Sequence, residues 1–196
     1  MPGAHYALSE ALIVGVGIWV AVQMTRRGMW LGALGTAIFS VAAAIGVIRF
    51  GLGRIDELAG IHQTVSQIGG AAAMALVAIQ LLMVSGAVRS GWRLNIAVAL
   101  AAITVAIGLA AREATIALFI AWLIIAIAAS AAWPASGVIQ RLGRAAVVAI
   151  FLTNVMLVRQ SPLLGADLSW HAFHVLIAVW LLGLWWLLQK QTARTG

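Results

Sequence analysis

The sequence predicts an all-α integral membrane protein built as a bundle of seven transmembrane helices. Of its 196 residues, 64% are hydrophobic and only 9% are charged, and the mean hydropathy is +1.07. A soluble domain carries roughly 25% charged residues, so this composition excludes a soluble fold. It also excludes a disordered chain, because disordered chains are poor in apolar residues. The apolar residues fall in stretches near the roughly 20 residues that a helix needs to cross a bilayer.

Seven such stretches follow one another, and we assign the whole chain, residues 1–196, to one multi-pass membrane domain. The predicted spans cover about residues 7–24, 29–49, 61–85, 94–111, 114–133, 142–158 and 168–188. Helix ends predicted in this way are uncertain by a few residues. Six spans is the alternative count, since the sixth stretch is short.

Polar and aromatic residues mark where these spans end. The first span stops before Arg26, and only Arg112 and Glu113 separate the fourth span from the fifth, which predicts a tight turn. The last span ends with the pair Trp185 and Trp186, and tryptophan is typical of the headgroup region. These end signals support the division of the apolar sequence into seven spans.

The basic residues predict the orientation of the bundle. With the N-terminus outside, the cytoplasmic side carries Arg26, Arg27, Arg89, Arg93, Arg141, Arg144, Lys190 and Arg194, and the outer side carries Arg49, Arg54, Arg112 and Arg159. An excess of basic residues in cytoplasmic loops therefore favours an N-out, C-in topology. The frequent use of Ala, Gly and Arg is typical of bacteria, so we expect the protein in the inner (cytoplasmic) membrane.

The net charge of +7 does not indicate a nucleic-acid partner. The twelve basic residues are scattered singly or in pairs between apolar runs, without a basic tract. The expected partner is the lipid bilayer, with a lipid as the candidate substrate. The chain has no cysteine, which excludes disulfides, thiolate metal sites and cysteine nucleophiles.

All four histidines are predicted on the outer side. His62 begins the third span, and His171 and His174 lie in the first turns of the seventh, whereas His5 belongs to the N-terminal tail. Ionisable side chains within spans are costly, so they are functional candidates by default. Asp167, His171 and His174 fall within roughly 60° of one another on one helix face.

This pattern predicts a metal site. Two imidazoles at positions i and i+3 can share a metal ion, and His62, at matching depth, can supply a third ligand beside His171 and His174. Three neutral nitrogens and an open position are typical of catalytic zinc, which makes bound water nucleophilic at neutral pH. Glu10, Ser66 and Asp167 are then the candidate catalytic residues. Glu10 lies at matching depth in the first span, and Asp167 can also orient His171.

The residues leave a plainer interpretation open. A histidine pair at the top of a membrane helix can simply bond to loop carbonyls or water, and Asp167 can be the N-cap of the last helix. Gln80 and Asn154 lie deeper in their spans, and we expect them to form interhelical hydrogen bonds.

The outline of the chain resembles the superfamily of seven-helix membrane hydrolases that includes the alkaline ceramidases and the adiponectin-receptor-like proteins. The likeness consists of the N-out topology, His62 near the start of the third span, and the pair His171 and His174 at the start of the last. The acidic Glu10 in the first span is similar to an acidic residue of the ceramidases. The pair is spaced HxxH here and HxxxH in the family. The resemblance implies a zinc-dependent hydrolase of a lipid amide or ester, with its three-histidine site near the outer face.

Two other functions stay open at this point. His62 with His171 or His174 can serve as axial ligands of a haem in a membrane redox subunit. The chain can also be a transporter or a non-catalytic membrane subunit. The similar segments 46–54 and 137–144, three helices apart, are what an inverted repeat of a transporter would show.

Overall fold

A computed structural model describes residues 3–87, 93–134, 137–159 and 161–192, and every regular element in these ranges is helical. The seven helices are α1 (Tyr6–Arg26), α2 (Trp30–Gly51), α3 (Ala59–Val84), α4 (Arg93–Ala110), α5 (Arg112–Ala132), α6 (Val138–Val158) and α7 (Gly165–Thr192). Each predicted span corresponds to one helix, and the ends differ by a few residues. The all-α prediction is therefore confirmed.

Six of these helices are long and apolar enough to cross a membrane. The exception among the described helices is α4, whose apolar part, Leu94–Ala110, is shorter. At 1.5 Å per residue that part extends for roughly 26 Å, against a hydrocarbon thickness of roughly 30 Å. Many large apolar side chains are exposed on the bundle, among them Leu8, Leu109 and Leu157. These features indicate a multi-pass membrane protein, and the seventh crossing stays a prediction.

The helices form a ring with one helix outside it. Helices α1, α2, α3, α5, α6 and α7 each pack against the next, and α7 packs against α1, which closes the ring. Helix α4 lies outside and packs mainly on α3. Gly35 of α2 allows a close approach to α3, because a Cβ at this position would lie 2.8 Å from the carbonyl oxygen of Ala73.

Successive helices run in opposite directions, so the starts of α1, α3, α5 and α7 meet the ends of α2, α4 and α6 at one end of the bundle, the site end. Two contacts show this: the hydroxyl of Tyr6 donates a hydrogen bond to Asp167, and Arg112 Nη2 donates one of 3.0 Å to Thr64 Oγ1. The alternating directions of the helices and the short loops between them therefore bring residues that are far apart in the sequence together at the site end.

Tryptophans and arginines pack against one another at the other end of the ring. The fully buried Trp133 donates a hydrogen bond of 3.1 Å from its Nε1 to the carbonyl of Leu81. The guanidinium of Arg144 lies 5.4 Å from the centre of the Trp133 ring. Arg27 stacks 4.7 Å from the Trp185 ring, which links α1 to the end of α7.

The two deep amides form the interhelical hydrogen bonds expected from the sequence. Gln80 Oε1 accepts a hydrogen bond of 3.3 Å from the backbone N–H of Gly32, in the first turn of α2. Asn154 Nδ2 donates one of 2.7 Å to the carbonyl of Phe173. Each amide therefore joins two neighbouring helices of the ring.

Replacing Gln80 by Leu is expected to lower the free energy of unfolding by about 1 kcal/mol, because the buried N–H of Gly32 loses its side-chain acceptor. Thermal unfolding in a nonionic detergent would measure the change. Gln63→Leu is the matched control, since Gln63 is exposed on the same helix. Equal melting temperatures for the two variants would contradict the prediction.

Candidate functional site

A cavity of about 890 Å³ lies inside the ring, and all six ring helices contribute to its wall. We call it the lumen. Its deep part is lined by apolar side chains, including Phe39, Ala42 and Ile177. Near the site end its wall includes the exposed residues Arg112 and Pro162. A cavity of this size and lining is typical of a site for a drug-sized apolar ligand.

Three ionisable side chains from three helices meet at the lumen wall. Glu10 of α1 is 2% exposed, and its Oε1 lies 3.3 Å from Nε2 of His174 on α7 and 3.6 Å from Nε2 of His62 on α3. We call Glu10, His62 and His174 the buried triad. Burying these groups in an apolar bundle is costly, which is why their convergence indicates a function.

The partners on the far side of each imidazole determine its tautomer. Arg49 Nη1 lies 3.3 Å from Nδ1 of His62, and a guanidinium only donates, so Nδ1 accepts and the proton of the neutral ring is on Nε2. His174 donates from Nδ1 to the carbonyl of Trp170 at 2.7 Å, which leaves the lone pair of its neutral ring on Nε2. The two rings therefore present opposite hydrogen-bonding groups to Glu10.

These tautomers place the lone pair of His174 Nε2 in front of the Glu10 carboxyl. An ionised carboxylate facing the lone pair of His174 would be repelled, and Glu10 Oε1 has no hydrogen-bond partner among the described residues. A proton on either group turns this contact into a hydrogen bond. When the proton leaves, the positive charge of Arg49, next to His62, offsets the carboxylate. The pair can therefore release and take up a proton at the lumen wall.

His171 and Asp167 belong to a second group of side chains at the site end. His171 Nδ1 lies 3.1 Å from the hydroxyl oxygen of Ser9, and the ring packs near those of His5 and Tyr6. Asp167 accepts the hydrogen bond from Tyr6 and lies 3.9 Å from Nε2 of His5. Its side chain is 70% exposed. This arrangement ties the start of α1 to the start of α7 and lies apart from the buried triad.

Ser66 lines the lumen, but its hydroxyl donates a hydrogen bond of 2.6 Å to the carbonyl of His62 in its own helix. Ser66 lies in a π-helical turn, Val65–Gly69, and α6 has a second one, Asn154–Val158. Both turns contribute residues to the lumen wall. Such turns within α-helices are frequent at functional sites, which is consistent with a functional lumen.

The structure brings two of the three predicted zinc ligands together. His62 and His174 face Glu10, whereas His171 faces Ser9. Within residues 3–87, 93–134, 137–159 and 161–192, no group of three or more His, Cys, Asp or Glu side chains is arranged to hold a metal ion. The neutral His174 ring has a free lone pair on Nε2, through which it could bind a metal ion. Nε2 of His62 carries a proton and therefore has no lone pair for a metal ion. This donor set does not fit the implied zinc ion, and zinc stays a prediction.

Sequence reasoning identified Glu10 and His62 at matching depth but missed the role of Arg49. Its position at the end of the second span was used as a topology signal alone. Two features of the sequence could have indicated this role. Arg49 is a charged residue at the end of an apolar stretch, and the loop that follows is short enough for α3 to place His62 next to it.

Comparison with known proteins returned no match to a protein-family model, to a curated protein or to a solved structure. The function therefore has to be argued from the site itself.

Proposed function

We propose that this chain is a multi-pass membrane hydrolase that cleaves a lipid amide or ester in the lumen, with Glu10 and His174 as its acid–base pair. The observation that carries the proposal is the buried Glu10 carboxyl, 3.3 Å from His174 in the wall of an apolar cavity. The resemblance to the seven-helix hydrolases supports the reaction class.

In this mechanism the reaction starts from the deprotonated pair, in which the positive charge of Arg49 offsets the Glu10 carboxylate. Glu10 or His174 takes a proton from a water molecule as its oxygen attacks the substrate carbonyl, and the pair then donates that proton to the departing amine or alcohol. Arg49 and His62 stabilise the negative charge that Glu10 carries when it is deprotonated. The apolar wall limits access of bulk water to the reacting atoms.

We also propose that all seven helices cross the inner membrane, with the N-terminus outside and the C-terminus in the cytoplasm. The distribution of basic residues supports this orientation, since eight fall on the cytoplasmic side and four outside. The buried triad would then lie near the outer, periplasmic face.

A proton-coupled transporter is the second candidate. It is favoured by the lumen itself, which is surrounded by six helices and reaches the site end. A carboxyl that exchanges a proton there could couple proton movement to ligand movement. Transport would be observed as uptake by proteoliposomes without chemical change of the ligand.

Turnover of fluorogenic lipid amides and esters by the purified protein is the direct test. We expect His174→Ala to abolish turnover and His171→Ala to retain most of it, because His174 contacts Glu10 whereas His171 contacts Ser9. His5→Ala is the control, since His5 lies in the exposed group at the site end. Uncleaved substrates throughout the panel, or full activity of His174→Ala, would contradict the proposal.

Elemental analysis and an absorption spectrum of the same sample test the metal predictions. The acid–base mechanism predicts turnover that survives a strong chelator. About one zinc per chain, lost in His62→Ala, His171→Ala and His174→Ala but not in His5→Ala, would instead establish the three-histidine site. Iron with a Soret band would make the same histidines haem ligands.

A further inference from the structure

Two arginine side chains, Arg112 and Arg159, line the lumen in addition to the acid–base pair. From this we infer that its substrate is a single-chain acyl amphiphile with an anionic headgroup, such as an N-acyl amino acid. The inference rests on the proposed function, because it names the substrate class of the same site.

Arg159 lies on the lumen wall and is linked to His174 through the ring of Phe173. Its guanidinium lies 5.5 Å from the centre of the Phe173 ring, and that ring lies 5.1 Å from the ring of His174. Arg112, on the other side of the lumen, donates to Thr64. In the described part of the chain, neither arginine has a carboxylate within salt-bridge distance, and both line the lumen. An anionic headgroup next to the reacting bond would give these arginines a charged partner.

The lumen wall nearest the site end carries a net positive charge. Glu113 is the acidic residue there, against Arg112 and Arg159. Glu10 lies deeper and is offset by Arg49 through His62. This excess of positive charge attracts an anionic headgroup, does not attract a neutral one and repels a cationic one. The wall therefore favours an anionic substrate.

Beyond the buried triad the lumen becomes apolar. A Cβ at Gly46 would touch the Glu10 carboxyl, and Phe39 lies seven residues before Gly46 on α2, roughly 10 Å deeper at 1.5 Å per residue. Ala42, Phe151 and Ile177 complete this part of the wall. An acyl chain placed there would hold its carbonyl near Glu10 and its headgroup near Arg159.

The volume favours one chain. About 890 Å³ is within the range of pockets that enclose a drug-sized molecule, and a lipid with two long chains is considerably larger. The site therefore selects an amphiphile with a single acyl chain joined by an amide or ester to a small anionic group.

Calorimetric titration of the Glu10→Gln protein tests this inference, because binding is then measured apart from hydrolysis. The probes are N-dodecanoylglycine and its neutral counterpart N-dodecanoylglycinamide, in nonionic micelles that contain no bilayer phosphate. We expect the anionic probe to bind at least about tenfold more tightly, which is the effect of roughly one charge-assisted contact. Arg159→Gln should remove most of this preference.

Arg54→Gln is the matched control, since Arg54 is exposed at the same end and paired with Glu57 outside the lumen. Equal affinities for both probes, or an equal loss of preference in Arg54→Gln, would overturn the inference. The two proposals fail separately. An anionic probe that binds but is not cleaved by the unmodified protein would contradict the hydrolase alone, and cleavage without preference for the anion would contradict the substrate class alone.

Discussion

Replacing Glu10 by Gln is expected to lower kcat by about 10²–10⁴-fold, the usual contribution of a general acid–base group. Glutamine keeps the size and hydrogen-bonding capacity of the side chain but cannot accept or release a proton next to His174. The rate of lipid amide or ester hydrolysis at saturating substrate measures the effect. Because the amide has nearly the shape of the carboxyl and fits the same space, the melting temperature should change little.

Glu57→Gln is the control for this experiment. Glu57 is an exposed carboxylate at the same end of the bundle, paired with Arg54, and exposed pairs contribute little to stability. Its removal should leave kcat unchanged. Full activity of Glu10→Gln would show that the proton transfer occurs elsewhere, whereas a comparable loss in Glu57→Gln would indicate a general effect of charge at this end.

Replacing Gly46 by Ala is expected to lower kcat by about 10²-fold, even though Gly46 has no side chain that could react. A methyl group at this position would lie 2.5 Å from Oε1 and 2.6 Å from Cδ of Glu10, so the carboxyl must move away from the histidines. A displacement of about 1 Å is enough for a loss of this size. The atoms that move are the end of a flexible side chain, so we expect a small change in stability.

Gly60→Ala provides the comparison for Gly46→Ala. Gly60 lies near the start of α3, at the same end of the bundle, and a Cβ there would meet no atom within 4 Å. Measuring kcat and thermal unfolding for both variants separates displacement of Glu10 from a general effect of alanine in a helix. Unfolding of Gly46→Ala in parallel with its activity loss would point to a packing role and against displacement of the carboxyl.

The sequence by itself determined the helices and their order, because apolar stretches of bilayer length have few alternatives to a membrane helix. The same reasoning identified Glu10 and His62 as neighbours in depth. Both lie within the first turns of helices that start at the same end of the bundle, and depth along a helix follows directly from residue position.

Tertiary structure decided which side of each helix faces the lumen. On α7 the lumen wall follows helical spacing through Ala166, Ser169, Trp170, Phe173, His174 and Ile177. His171 lies off this stripe and faces Ser9 on α1 instead. The sequence could not show this, because α7 is apolar on nearly all sides and so has no polar face that marks its inner surface.

The protonation pattern of the site was also a tertiary result. Arg49 of α2 determines the tautomer of His62 on α3, whereas His174 bonds to the carbonyl of Trp170 within its own helix. Hydrogen bonds between helices depend on how the helices rotate against one another, and a linear pattern of residues carries no record of that rotation. The sequence therefore determined which groups lie at this depth, and the packing of α1, α3 and α7 decided that Glu10 faces both His62 and His174.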